Sequence, residues 1–141
     1  MYMSIARYLA PESLDDALAL LARHRPSRPL AGGTDLLVQA RGGAYDGAVV
    51  VDLKRLPELQ GLERVGQRLR IGAATPCMRL RTAPELAPFP GLREALSRIG
   101  SVQIQGRCSL GGNLCNASPA ADATPALIVN DAVAVIAAPA G

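Results

Sequence analysis

Two short glycine turns hold the residues with the clearest chemical potential. The first is Leu30-Ala31-Gly32-Gly33-Thr34-Asp35-Leu36; the second is Ser109-Leu110-Gly111-Gly112-Asn113, continuing through Ala117-Ser118-Pro119 to Asp122. A residue without Cβ lets backbone N–H groups lie close against phosphate, and each turn leads into a segment that can be helical. Two such turns in a chain of 141 residues predict a large nucleotide cofactor gripped at two points.

The side chains around the glycines add donors and acceptors. Thr34 offers a hydroxyl in the first turn. Asp35 would repel phosphate if it pointed inward, so it is expected to cap the following helix instead. In the second turn Ser109 offers a hydroxyl, and Asn113 supplies both a donor and an acceptor. The Asp122 carboxylate has two compatible readings: an acceptor for ribose hydroxyls, or a helix N-cap before Thr124-Pro125. Neither turn has the spacing of a P-loop or of the Gly-x-Gly-x-x-Gly dinucleotide fingerprint.

Composition excludes several classes. Hydrophobic residues make up 49% of the chain, enough for a packed core. Aromatic residues are only 3%, so stacking of single-stranded bases is not expected, and Ala, Leu and Val must fill the core. The net charge of +3 comes from scattered arginines and one lysine, Lys54, with no basic run for a polyanion. Three cysteines, Cys77, Cys108 and Cys115, and one histidine, His24, give neither a disulfide framework nor a metal-ligand spacing. Cys115 reads as a small buried filler. No leader is visible at Met1–Ser4 and no apolar run is long enough to span a bilayer, so a cytoplasmic location is expected.

The elements that must position the turns follow from periodicity. Residues 1–52 read as β-α-β-α-β. Ile5 to Leu9 is the first strand, and Ser13 caps a helix whose stripe is Leu14, Ala17, Leu18 and Leu21. Arg28 to Ala31 is the strand that delivers the first turn, a second helix runs to about Arg41, and Val49-Val50-Val51 is a buried parallel strand. After Leu56-Pro57-Glu58-Leu59 the pattern changes. Leu62 to Val65 and Leu69 to Ile71 form a hairpin around Gly66-Gln67, Thr75-Pro76 starts a helix, and Leu92 to Ile99 is another, ended by Gly100. A helix initiated by Pro125 and a strand at Ala132 to Ile136 follow, and Ala137 to Gly141 reads as the start of a hairpin turn. The expected division is a subdomain over 1–55 and a second over 56–141.

At its two turns the chain resembles the molybdopterin dehydrogenase FAD-binding family, the flavin-carrying medium subunits of xanthine dehydrogenase, carbon monoxide dehydrogenase and 4-hydroxybenzoyl-CoA reductase type enzymes. Leu30 to Leu37 and Gly111 to Asp122 carry the resemblance, which extends from Tyr8-x-x-Pro11 to the terminal strand. It implies an α+β fold of the PCMH type, a small βαβαβ subdomain followed by a second α+β subdomain, truncated relative to the family. It implies FAD as cofactor, with the pyrophosphate cradled by Leu30, Ala31, Gly32, Gly33, Thr34, Asp35 and Leu36. Ser109, Leu110, Gly111, Gly112 and Asn113 would form the second loop, with Asp122 and Ile99 near the cofactor. The implied reaction is electron relay from [2Fe–2S] clusters on a small subunit to FAD and an acceptor. Substrate is oxidised at a molybdopterin site on a large subunit, and no residue of this chain acts as a nucleophile, base or metal ligand. The other readings of the residues are a non-catalytic remnant that docks to partner subunits without FAD, and a nucleotide-binding module without redox function.

Overall fold

The computed structural model describes residues 5–139; Met1–Ser4, where no leader was expected, and the last two residues lie outside it. Among the described residues there are five strands and seven α-helices, the α+β mixture expected. Ser13 Oγ accepts from the Asp16 N–H at 3.1 Å and starts helix α1, Leu14–Arg23, behind strand β1, Arg7–Leu9. Strand β2, Ser27–Leu30, delivers the first glycine turn into helix α2, Leu36–Arg41. Strand β3, Val49–Asp52, lies between β1 and β2 and pairs parallel with both. All four of its residues are buried, which is why it reads as an unbroken apolar run rather than an alternating one. Val49 and Val51 pack with Ala17, Leu56 and the leucines of α1 in one core.

Asp52 ends that strand and is only 3% exposed. Its charge is matched on two sides: Lys54 Nζ lies 2.7 Å from Oδ1, the Lys54 N–H donates to the same oxygen at 2.9 Å, and the Tyr8 hydroxyl donates to Oδ2. Burial opposes ionisation, but the hydrogen bonds from Lys54 and Tyr8 prevail and hold the carboxyl below the ordinary aspartate value. The bond that Tyr8 gives Asp52, with burial, raises the phenol above its usual value. Leu53 N–H in turn donates to the Leu30 carbonyl at 2.8 Å, so this network roots the first glycine turn.

A second core lies farther along the chain. Strands β4, Leu62–Val65, and β5, Arg68–Ile71, form the expected antiparallel hairpin, with Gly66 at a positive φ of 60°. Helices α3, Cys77–Thr82, and α4, Pro90–Arg98, carry Cys77, Leu80, Leu92 and Leu96 into a core with Ile99, Cys108 and Leu110. Helices α5, Val102–Gln105, α6, Leu110–Cys115, and α7, Ala123–Val129, complete it. Leu56 and Leu59 pack with the first core, so the first unit's packing runs past residue 55.

Three expectations need correction. Thr75 does not cap α3: it is fully buried, and its hydroxyl oxygen accepts from the Gly61 N–H at 2.8 Å. The helix initiated by Pro125 begins earlier, at Ala123. Ala132 to Ile136 is not a strand; Val133, Val135 and Ile136 are exposed in irregular backbone. β-branched composition favours a strand only where a partner completes the ladder, and no described strand pairs with this segment.

Asp52→Asn is expected to lower the unfolding free energy at pH 7 by about 1–3 kcal/mol. Because the folded carboxyl titrates below its unfolded value, the stability it contributes is present above about pH 4 and is lost as pH falls through the folded value. Urea unfolding of both proteins should therefore show the difference at neutral pH and a narrowing gap in acid; a pH-independent gap contradicts the account.

Candidate functional site

The first turn leaves the sheet at Leu30, whose side chain is buried, and runs through half-buried Ala31, Gly32, Gly33 and Thr34. Gly33 has a φ of 79°, and a Cβ there would press on Leu30 and Leu37 at 3.0–3.1 Å. The Gly33 carbonyl accepts from the Leu37 N–H at 3.1 Å. By contrast, the N–H groups of Gly32, Gly33, Thr34 and Asp35 donate to no acceptor among the described residues. Buried backbone donors are ordinarily paired; those of half-buried Gly32, Gly33 and Thr34 and of exposed Asp35 could serve an acceptor-rich ligand.

Asp35 is not the cap expected of it. It stands at the N-cap position of α2, but its backbone is helical and its carboxylate makes no capping bond. A capping side chain needs an extended backbone to fold over the first turn. Asp35 is exposed, and the Thr34 hydroxyl donates to its Oδ2 at 3.5 Å.

The second turn is itself helical. Ser109 is 1% exposed, and its Oγ accepts from the Gly112 N–H at 3.1 Å, capping α6 so that both glycines lie in its first turn. Glycine is a poor helix former, and its presence at Gly111 has a steric cause. A Cβ there would lie 2.7 Å from the Ala73 carbonyl oxygen, to which the Gly111 N–H donates at 3.0 Å. Asn113 follows, and its Oδ1 is buried without a hydrogen-bond partner among the described residues. Behind the turn, Pro76 and Ser109 form an isolated antiparallel bridge, and the Cys77 N–H donates to the Cys108 carbonyl at 2.9 Å. The neighbouring Cys108 thiol and burial push the Cys77 thiol far above the usual range. The Cys77 thiol is therefore a packing group rather than a nucleophile.

The structure brings the two turns together. A Cβ on Gly32 would sit 2.1 Å from the Arg107 carbonyl oxygen and 2.7 Å from Cys108 Cα, so the first turn rests on the backbone that enters the second. An added Cβ on Gly112 would in turn lie 4.0 Å from that of Ala31. Leu36 is half-buried at the start of α2, and Leu110 and Ile99 are buried in the second core. Asp122 is exposed at the N-cap position of α7 and makes no capping bond. Cys115, the last residue of α6, is exposed rather than a buried filler. Reading the sequence missed Ala73, Arg107 and Cys108, whose contribution is backbone position and leaves no mark in residue type. Among the described residues no cluster of His, Cys, Asp or Glu could hold a metal ion, and no helix is long and apolar enough to cross a membrane.

An α+β fold with two glycine loops meeting backbone to backbone defines a domain that holds an extended cofactor. The chain belongs to the family described as the FAD binding domain in molybdopterin dehydrogenase, whose model matches residues 3–141. It is 32% identical over 132 residues to the nicotinate dehydrogenase FAD-subunit of Eubacterium barkeri, covering 92% of this chain and 45% of that protein. It is 35% identical over 138 residues to the xanthine dehydrogenase FAD-binding subunit of Escherichia coli, covering 96% of this chain and 47% of that protein. Among solved structures, reconstituted CO dehydrogenase from Oligotropha carboxidovorans superposes with a TM-score of 0.82 at 33% identity, covering 87% of this chain and 44% of that one. The fold is thus the family's FAD-binding fold. The chain spans about half the length of the relatives it matches.

The contact at Gly32 makes a sharp prediction. Gly32→Ala forces a methyl group into the Arg107 carbonyl, which cannot swing away as a side chain would, and is expected to cost about 2 kcal/mol or more. Gly91→Ala meets nothing within 4 Å inside α4 and should be neutral or stabilising by up to about 1 kcal/mol. Thermal unfolding of the two variants should move in these different directions; equal tolerance of both removes the close approach from the account.

Proposed function

We propose that this chain is the FAD-binding medium subunit, or part of one, of a molybdenum-containing hydroxylase, and that it relays electrons from iron–sulfur clusters through FAD to an acceptor. The observation that carries this reading is the meeting of the two glycine loops, one with four unengaged N–H groups and the other with the orphaned Asn113 Oδ1, in a member of this family. The residues present fit FAD, a ligand that needs donors for its pyrophosphate and polar partners along its length. Leu30 to Leu36 would hold the pyrophosphate through backbone donors. Gly111 and Gly112 would keep the second wall free of side chains, and Asn113 would bond the cofactor through its amide. Ser109 and Leu110 support that wall from beneath, Ile99 packs in the core behind it, and exposed Asp122 is available to ribose hydroxyls. Residues 1–55 and 56–141 would be the two subdomains contributing these walls.

FAD, when bound, supplies exchange of one or two electrons and so links one-electron centres to a two-electron acceptor. The chain's own work is to bind and orient it. Its relatives are named as subunits of dehydrogenases, which supports an oxidoreductase role within a complex. We take the partners to be a large molybdopterin subunit and a small iron–sulfur subunit. Three free thiols suit a reducing compartment, which favours the cytoplasm. A second reading, a docking module that retains no FAD, draws on the exposed Ile128, Val129, Val135 and Ile136.

Titration of the purified chain with FAD, followed by quenching of flavin fluorescence, separates the two. The first reading expects saturable binding that Asn113→Leu weakens by about tenfold, or ~1.4 kcal/mol. The docking module expects no quenching and co-purification with the large and small subunits.

A further inference from the structure

The first glycine loop rests on the backbone that enters the second, at Arg107 and Cys108, and each loop runs on into a short helix. A side-chain hydrogen bond ties those two helices together. Gln39 Nε2 on α2, the helix that the first loop enters, donates to Asn116 Oδ1 at 3.3 Å. Asn116 closes α6, the helix that the second loop opens. Gln39 is held from its other end too, since Oε1 accepts from the Tyr45 hydroxyl at 2.5 Å. Tyr45 stands at a φ of 70°, unusual for a bulky residue, and the Arg28 guanidinium lies 4.7 Å above its ring. Backbone bonds fix the surroundings: Ala44 N–H to the Gln39 carbonyl at 3.1 Å, and Asn116 N–H to the Gly112 carbonyl at 3.0 Å.

We propose that the Tyr45–Gln39–Asn116 relay is a clasp that holds the two glycine loops in their touching arrangement, making Gln39 and Asn116 positioning residues for the cofactor held between them. This rests on the FAD reading above. Neither residue need touch the cofactor. Gln39 sits one turn into α2 and Asn116 at the far end of α6, so a shift between the two is passed to the loops by short helices. A single bond of this kind shifts an equilibrium by a fewfold to about tenfold, modest for folding but direct for a ligand that must bond both walls at once.

The test compares the full chain with Gln39→Met, which keeps the side-chain length and removes both polar ends, with Asn116→Ala, and with the double variant. FAD affinity should fall about three- to tenfold in each single variant, and the double variant should be no weaker than the worse single one, because one clasp is lost once. Amide hydrogen exchange of the FAD-free chain should quicken together at Leu37 and Gln39, whose N–H groups donate to the Gly33 and Asp35 carbonyls of the first loop, and at Gly111–Asn113, with little change in the melting temperature. Asn116→Asp keeps an acceptor for Gln39 Nε2 and should restore slow exchange. Unchanged affinity, or losses that add, overturns the proposal. If the wild-type chain binds no FAD, the cofactor reading falls separately; unchanged exchange at both loops in Gln39→Met then overturns the clasp by itself.

Discussion

The close approach of the first glycine loop to the Arg107–Cys108 backbone is the constraint on which the rest of the site depends. A space of 2.1 Å from a would-be Cβ to a carbonyl oxygen admits hydrogen and nothing larger. Residue 32 therefore has to be glycine if the two cores are to meet where they do. The same device recurs at Gly111 against Ala73, within the second half of the chain. Side chains pack each core internally. Between the loops, backbone meets backbone at Gly32 and the Arg107–Cys108 segment.

The two walls of the site are chemically different. The first loop has four N–H groups in succession that donate to nothing among the described residues. In the second, the Gly111, Gly112 and Asn113 N–H groups are already committed, to Ala73, Ser109 Oγ and the Ser109 carbonyl. The second loop consequently offers side-chain chemistry, through the Asn113 amide, whereas the first offers the backbone. A ligand with an anionic centre and a polar extension matches that division better than an isolated phosphate, which would need donors on one side only.

Much of this was legible in the sequence, for identifiable reasons. The Val49–Val51 run marked the central parallel strand because a strand covered on both faces has no polar alternation. Ser13 marked its helix because capping is a local matter of one hydroxyl and one N–H. Gly66 marked its hairpin by the backbone angle it permits. Non-local determinants left no such trace. Thr75 reads as a cap, but its hydroxyl serves Gly61, fourteen residues upstream. Ala132 to Ile136 reads as a strand, yet a strand exists only with a partner, and Val135 is 94% exposed. The second glycine turn hides a helix because two glycines argue against one locally, while the Ser109 cap and the Ala73 contact outweigh that preference.

Each loop is anchored at its base and left open at its crest. Below the first, Asp52 is neutralised by Lys54 and bonded by Tyr8 at the end of the central strand, and Leu53 ties that strand to Leu30. Below the second, the Pro76–Ser109 bridge and the Cys77–Cys108 backbone bond pin the chain to α3. Anchors of this kind restrict the conformations available before any ligand arrives. The ordering cost of binding a ligand there would then be largely met during folding. For a member of an FAD-binding family, such preorganisation, more than any reactive side chain, is what the sequence has to encode.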